Sequence, residues 1–404
     1  MSSTPHRDLG TRLARRADDF DRLGGTELDL QQVLARAGEI KRGRRLRATM
    51  VMAACVLAIA VPTLIASVGR GGDKVQPAPP HQADSSPITL AGLDTGAKPR
   101  TGWIQDNVWH GPTGREIQWT GGRVTAVAPL ADALLVATSD ENGQRASLVP
   151  TEGNGPGTVE SWPIDGSIAV SADGDLAAFV KPDGTPEVVE SHGASTRTYR
   201  LPRIQRGSGF NAVAVEGGQG CSATAQPSCR VWVTSSGASP ESWVSTRGGI
   251  ARKPLPSVRS VTDVDRTGTT AAAIIDVRED LTTCSAAVDV TGGAQLWATC
   301  DHRLEEFSPD GARVLAAGSV GDGIGETQLA VLDARTGKVE VDLRTADQAF
   351  VARMEWEDDT HVLATVFEGG RWAVLRIGLD GRREYAVPPV AGEDLDSPFV
   401  LAAH

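Results

Sequence analysis

Apolar positions along the chain follow three different periods. Over 26–40, TELDLQQVLARAGEI, they recur at helical spacing, with Leu30, Val33, Leu34 and Ala37 on one stripe and Thr26 and Asp29 spaced as a capping box. This predicts a helix, and a weaker pattern predicts another over 7–20. From Ala48 to Val68 there are 21 residues without a charge, and only Thr49, Thr63 and Ser67 are polar. A helix of that length spans roughly 31 Å, about the thickness of a bilayer's hydrocarbon core. From about residue 101 the pattern shifts again, to short β-branched and alanine-rich runs separated by Gly, Asp and Pro turns. That texture predicts an all-β domain.

The β region repeats itself. Six segments align: RVTAVAPLADALLVAT, GSIAVSADGDLAAFV, FNAVAVEGGQG with CRVWVT, VTDVDRTGTTAAAIID, LEEFSPDGARVLAAGS and ARMEWEDDTHVLATVF. Each reads as a strand, a tight polar turn and a more apolar strand. With Ala128, Val170, Val215, Val264, Phe307 and Trp356 taken as equivalent, the intervals are 42, 45, 49, 43 and 49 residues. Two further strands follow in most units, as in QLAVLDARTGKVEVDL. Four strands in about 40–45 residues is the period of a propeller blade, whose two apolar faces are covered only by stacking on neighbours. The six units leave TGWIQDNVWHGPTGREIQW at 101–119, read as a hairpin turning at 110–114, and SPFVLAAH at 397–404. Pairing 101–119 with 397–403 would build a seventh blade and remove two exposed sheet edges. The fold class expected is therefore all-β, a β-propeller of seven blades with six as the alternative.

The segment FSPDGARVLAAGS…TQLAVLDARTGK at 307–338 resembles the WD-type, TolB-like β-propeller repeat, and Ser171-Ala172-Asp173-Gly174 resembles its S-P-D-G turn. The whole layout is similar to that of actinobacterial single-pass proteins with an exported propeller. The resemblance implies a short cytoplasmic tail at 1–47, a transmembrane helix at 48–68, a linker at 69–100 and an extracytoplasmic propeller at 101–404.

Charge and flanks agree with that order. Lys41, Arg42, Arg44, Arg45 and Arg47 crowd the N-terminal side of the apolar run, against Arg70 and Lys74 beyond it, which predicts a cytoplasmic N-terminus. The apolar run is longer than a cleavable signal's core, and no A-x-A site closes it. A lipobox-like Met52-Ala53-Ala54-Cys55 falls in its middle, where Cys55 reads as a small helix residue. Residues 1–47 carry a net charge of +4 and residues 69–404 a net charge of −15. An acidic exterior argues against nucleic acid as a partner. The linker is rich in Pro, Gly, Ser and Asp.

Cys221, Cys229, Cys284 and Cys300 form an even set in the exported part, as an oxidising compartment favours. Cys284 and Cys300 lie symmetrically about Gly292 in CSAAVDVTGGAQLWATC, opposite each other if the chain turns there. CSATAQPSC closes a short loop, predicting Cys221–Cys229. Zinc would need CxxC pairs, and none is present.

Catalytic patterns are absent. The seven histidines are scattered, no G-x-S-x-G occurs, and G-D-G-I-G at 321–325 has no third glycine and reads as a hairpin tip. The SADG and SPDG turns lack a calcium-ligating series and read as turn formers. Glu305-Glu306 and Asp358-Asp359 read as solvated turns or strand faces. Trp232, Trp297 and Trp372 read as packing between blades, and Trp103, Trp109 and Trp119 are the weak candidates for a binding face. No cofactor or metal is expected and no catalytic residue is assigned. The expected function is an anchored extracytoplasmic module that binds a protein, peptide or glycan, as a sensor or envelope scaffold, and not an enzyme. It would hold the bilayer through 48–68, with the stripe at 26–40 open to a cytoplasmic protein. The alternative is a propeller hydrolase or lyase acting on the cell envelope.

Overall fold

The computed structural model describes residues 86–403, apart from 152–159, 193–194, 206–208, 218–220, 222–228, 237–239, 248, 250–252 and 322–323. The helices expected at 7–20 and 26–40 and the apolar run 48–68 lie outside the described residues. Among the described residues no helix is long and apolar enough to cross a membrane.

Seven antiparallel sheets follow one another along the chain. Blade 1 covers residues 123–163, blade 2 165–200, blade 3 210–246, blade 4 260–299, blade 5 302–344 and blade 6 350–391. Each has four strands except blade 3, which shows three among the described residues. Blade 7 joins Phe399–Leu401 as inner strand to Trp103–Gln105, Val108–His110 and Glu116–Gln118. The closing register is Trp103↔Leu401, Ile104↔Val400 and Gln105↔Phe399, so the ring has seven blades and not six. Over its described residues the chain is a seven-bladed β-propeller.

Alanine- and valine-rich strands make this stacking possible. Leu176–Val180 is buried along its whole length, on both faces, and Ala271, Ala272 and Ala273 are each 0% exposed. Short side chains on both faces let sheets approach closely, and larger residues fill the spaces between. Seven apolar clusters result, one at each interface between neighbouring blades. Trp232, Trp372 and Trp297 belong to three of them, as expected. The six positions aligned from the repeat fall within two residues of the turn end of six inner strands. The SADG and SPDG turns are built alike: Ser171 Oγ donates to Asp173 at 2.5 Å and Ser308 Oγ to Asp310 at 2.6 Å. Gly174 and Gly311 each take φ of 72°, which a side chain would strain.

Both expected cysteine pairs form. Cys284–Cys300 bridges 4.0 Å between Cα atoms, beside the ladder pair Ser285↔Thr299, and Cys221–Cys229 bridges 4.8 Å.

Two local expectations need correction. Segment 101–119 turns twice: besides the turn at 110–114, Asp106 and Asn107 both adopt positive φ (50° and 64°) and reverse the chain between two three-residue strands. Short polar Asp and Asn tolerate that region, so a two-residue hairpin forms without glycine. The linker expected over 69–100 also ends early. Ile88 is fully buried in the cluster between blades 5 and 6 and bridges Thr345, and Thr95 bridges Tyr385. Residues 86–100 form a strap along blade 6. Its backbone carbonyls at Ala97 and Lys98 accept from Arg376 (3.0 and 3.1 Å), and Arg100 N–H donates to Glu357 at 2.6 Å.

Candidate binding site: the central channel

Inner strands line the channel, and each of those in blades 1–6 breaks register with its neighbour along its length, that of blade 6 a second time at Trp356/Asp358. The breaks lie at Val124/Ala126, Asp165/Ala169, Ala212/Ala214, Val261/Asp263, Leu304/Phe307 and Val351/Arg353. A bulge leaves one or more residues unpaired and re-aims the side chains beside it. In blades 4, 5 and 6 those positions carry charge.

Blades 5 and 6 repeat the same tripeptide pattern there, Arg303-Leu304-Glu305 and Arg353-Met354-Glu355. Residues two apart share a strand face, and the guanidinium Nε of each arginine donates to its glutamate, at 2.7 and 2.8 Å. Arg303 also reaches Glu326 at 2.7 Å. Arg353 crosses toward blade 1, donating from Nη1 to the carbonyl of Thr125 at 3.4 Å.

Beside these pairs stand carboxyls without a cation. Asp263 accepts the N–H of Phe307 at 2.7 Å, linking blade 4 to blade 5. Enclosure pushes its pKa up to about 7, against the two N–H groups that bond it and with the charges of Asp265 and Glu355 adding to the rise. Enclosure also holds Glu306 well above the carboxylate range, reinforced by the charges of Glu355 and Asp263 and by its hydrogen bond with Glu355. Glu305 is raised by enclosure despite Arg303. The same surroundings favour the protonated form of Glu306. The reading of Glu305-Glu306 as a solvated face is overturned: the bulge turns both into the channel wall. Asp358-Asp359 is a turn, as read. Asp358 bonds Thr360 and His361 and its pKa falls to about 2, these bonds outweighing the opposing effect of burial.

At the turn ends of the inner strands the channel widens into a cavity of 290 Å³. Val170, Val215, Val264 and Phe307 form its apolar wall, with Asp173, Glu216 and Asp265 among the acids and Arg266 the facing cation. Glu216 is held by Arg230 and by Trp232 Nε1. Among the described residues, no group of three or more His, Cys, Asp or Glu is placed to hold a metal.

The three candidate tryptophans do not share one surface. Trp103 is 4% exposed, stacks on His110 at 4.8 Å and packs between blades 7 and 6. Trp109, also 4% exposed, packs between blades 7 and 1. Trp119 is partly buried against that second cluster and borders a hollow of 300 Å³ with Asp140 and Arg145. All three rings hold the closing blade to its neighbours. Sequence reasoning missed the channel residues, although the doubled Arg-x-Glu was a signal available to it.

No family model matches the chain, and no curated protein matches it. Among solved structures, it is similar to the β-propeller domain of Cps50 (Swd1) from Myceliophteria thermophila, at 12% identity over 68% of this chain and 87% of that one, with a TM-score of 0.46. It is also similar to Sqt1 from Chaetomium thermophilum, at 13% identity over 66% and 73%, with a TM-score of 0.44.

Proposed function

We propose that this is a single-pass membrane protein of actinobacterial type whose exported propeller binds a protein, peptide or glycan, as a sensor or scaffold of the cell envelope. A WD40-like propeller suits such a role because a ring of blades offers a composite surface on a rigid frame. The observation that carries the reading is the cavity at the turn ends of the inner strands, where side chains from five blades meet around one opening. Two disulfides fit an oxidising compartment, and the basic residues before Ala48 favour a cytoplasmic N-terminus. The stripe at 26–40 would then meet a cytoplasmic protein. Two experiments test this. Protease added to intact spheroplasts should digest the propeller and spare residues 1–47; the reverse protection overturns the topology. Crosslinking on whole cells should capture an envelope component through the full chain, and an empty capture counts against binding.

A second reading is an envelope hydrolase or lyase, and the raised pKa values of Asp263 and Glu306 favour it, since such groups gather at catalytic sites. Its test is turnover of envelope peptides or glycans by the full chain that Asp263→Asn abolishes; turnover unaffected by Asp263→Asn, or none, excludes it.

A further inference from the structure

At the end of the channel away from the acidic cavity, where the ring closes, lies a second cavity of 360 Å³. Its lining is cationic and hydroxylic: Arg123, Thr125, Ser139, Arg353, Thr365 and Ser397. The fold creates it for a definable reason. The inner strand of blade 7 has only three residues, and it sits between two inner strands that both bulge, at Thr125 in blade 1 and at Ala352 in blade 6. The short strand leaves a gap that the bulges widen.

Three features of the gap match an oxyanion. Thr365, opposite Arg353 in the ladder, is 1% exposed, and its hydroxyl has no hydrogen-bond partner although it borders the cavity. A buried polar group without a partner is costly, so one is expected from a ligand or water. Arg353 commits Nε to Glu355 and Nη1 to Thr125, and its Nη2 has no protein partner among the described residues. Among the described residues Arg123 pairs with Asp396 alone, at 3.1 Å, with both side chains largely exposed at 59% and 72%. Exposed pairs of that kind are weak, so Arg123 can exchange Asp396 for another carboxylate.

We infer that this cavity binds a carboxylate presented by a peptide, with Arg123 and Arg353 Nη2 donating to its oxygens and the Thr365 hydroxyl as a third donor, the ligand displacing Asp396. The inference rests on the propeller being a binding module, and it names the chemical group that module would take. Two guanidiniums and a hydroxyl suit a planar carboxylate because their donors lie in fixed directions.

Calorimetric titration of the purified full chain with acetyl-Gly-Gly, its C-terminal amide, sodium acetate and inorganic phosphate tests it. The acid should bind and the amide should not. Arg123→Gln and Thr365→Val, neither of which removes a core contact, should each weaken the acid about ten-fold, as loss of one charge-assisted bond does. Asp396→Ala should tighten it. Equal binding of acid and amide, or an affinity unchanged in both Arg123→Gln and Thr365→Val, overturns the site. Phosphate or acetate binding without the peptide acid overturns the peptide as the source. Cellular capture that persists while the acid fails to bind sinks this inference alone. Acid binding with an empty capture leaves the site standing and sinks the wider function.

Discussion

Asp263 carries the clearest pH signature in the molecule. Folded, it keeps its proton up to about 7, whereas an unfolded aspartate releases it in the ordinary range near 4. Between those values the folded chain binds more protons than the unfolded one, so stability falls as pH rises through the window. Glu306 acts in the same direction. Asp358, lowered to about 2, acts in the opposite sense: its contribution is present above the ordinary range and is lost as pH falls toward 2. The melting temperature should therefore be highest in mildly acidic buffer and decline toward about pH 8. Asp263→Asn keeps an acceptor for the Phe307 N–H and removes the charge. It should raise the melting temperature at about pH 8 and leave it nearly unchanged at about pH 4, near the unfolded pKa. A variant whose alkaline decline matches the parent's would show that Asp263 is not its source. None of this was legible in Glu305-Glu306 or Asp263 as letters, because adjacent strand residues ordinarily face opposite ways. Only the bulges at and beside them place them along one wall, and a bulge leaves no mark in a single sequence.

At the level of elements, strap and hairpin show what composition conceals and what spacing reveals. The strap over 86–100 has the Pro, Gly, Ser and Asp of a linker, but Ile88, Leu90 and Leu93 lie within it and pack on the cluster between blades 5 and 6. Those apolar letters were the available signal, and a reading by average composition dilutes them. The strap's hold depends on Glu357, whose side chain is fully buried against Arg376, itself 7% exposed, and which also accepts from Arg100. Removing one partner of a buried pair strands the other charge, so Glu357→Ala should cost about 3–5 kcal/mol in denaturant unfolding. Glu357→Ala should also make the chain near Arg100 more open to protease. A loss under 1 kcal/mol would mean that water or Glu384 replaces the carboxylate. The hairpin of blade 4 was legible in full, since its cysteines lie at equal distances from a Thr-Gly-Gly turn and a ladder permits few registers. Closing that loop should contribute about 3 kcal/mol. Replacing both Cys284 and Cys300 with alanine should remove about that much, and peptide mapping should find the bond intact in the parent.

For the whole molecule, closure of the ring is the event on which the rest depends. Six blades could be counted from the repeat because the turn chemistry of SADG and SPDG recurs at the same inner-strand position. The seventh was legible only as leftover strands at the two ends of the β region. Its inner strand holds Phe399 and Leu401 in the cluster with blade 6, while Val400 and, just past the strand, Ala402 pack in the cluster with blade 1, so one short segment joins both interfaces. Deleting 397–404 exposes the edge at Trp103–Gln105 and withdraws Phe399 and Leu401. Burial of two such side chains is worth about 3–6 kcal/mol, and a drop of that order is expected. Because the lost strand is short and pairs along one edge, a synthetic peptide of residues 397–403 should bind the truncated chain and restore part of its melting temperature. A scrambled peptide should not. Truncation that leaves the melting curve unchanged would mean that the ring is held without its closing strand, and that the cavity bordered by Ser397 and Phe399 is not built by closure.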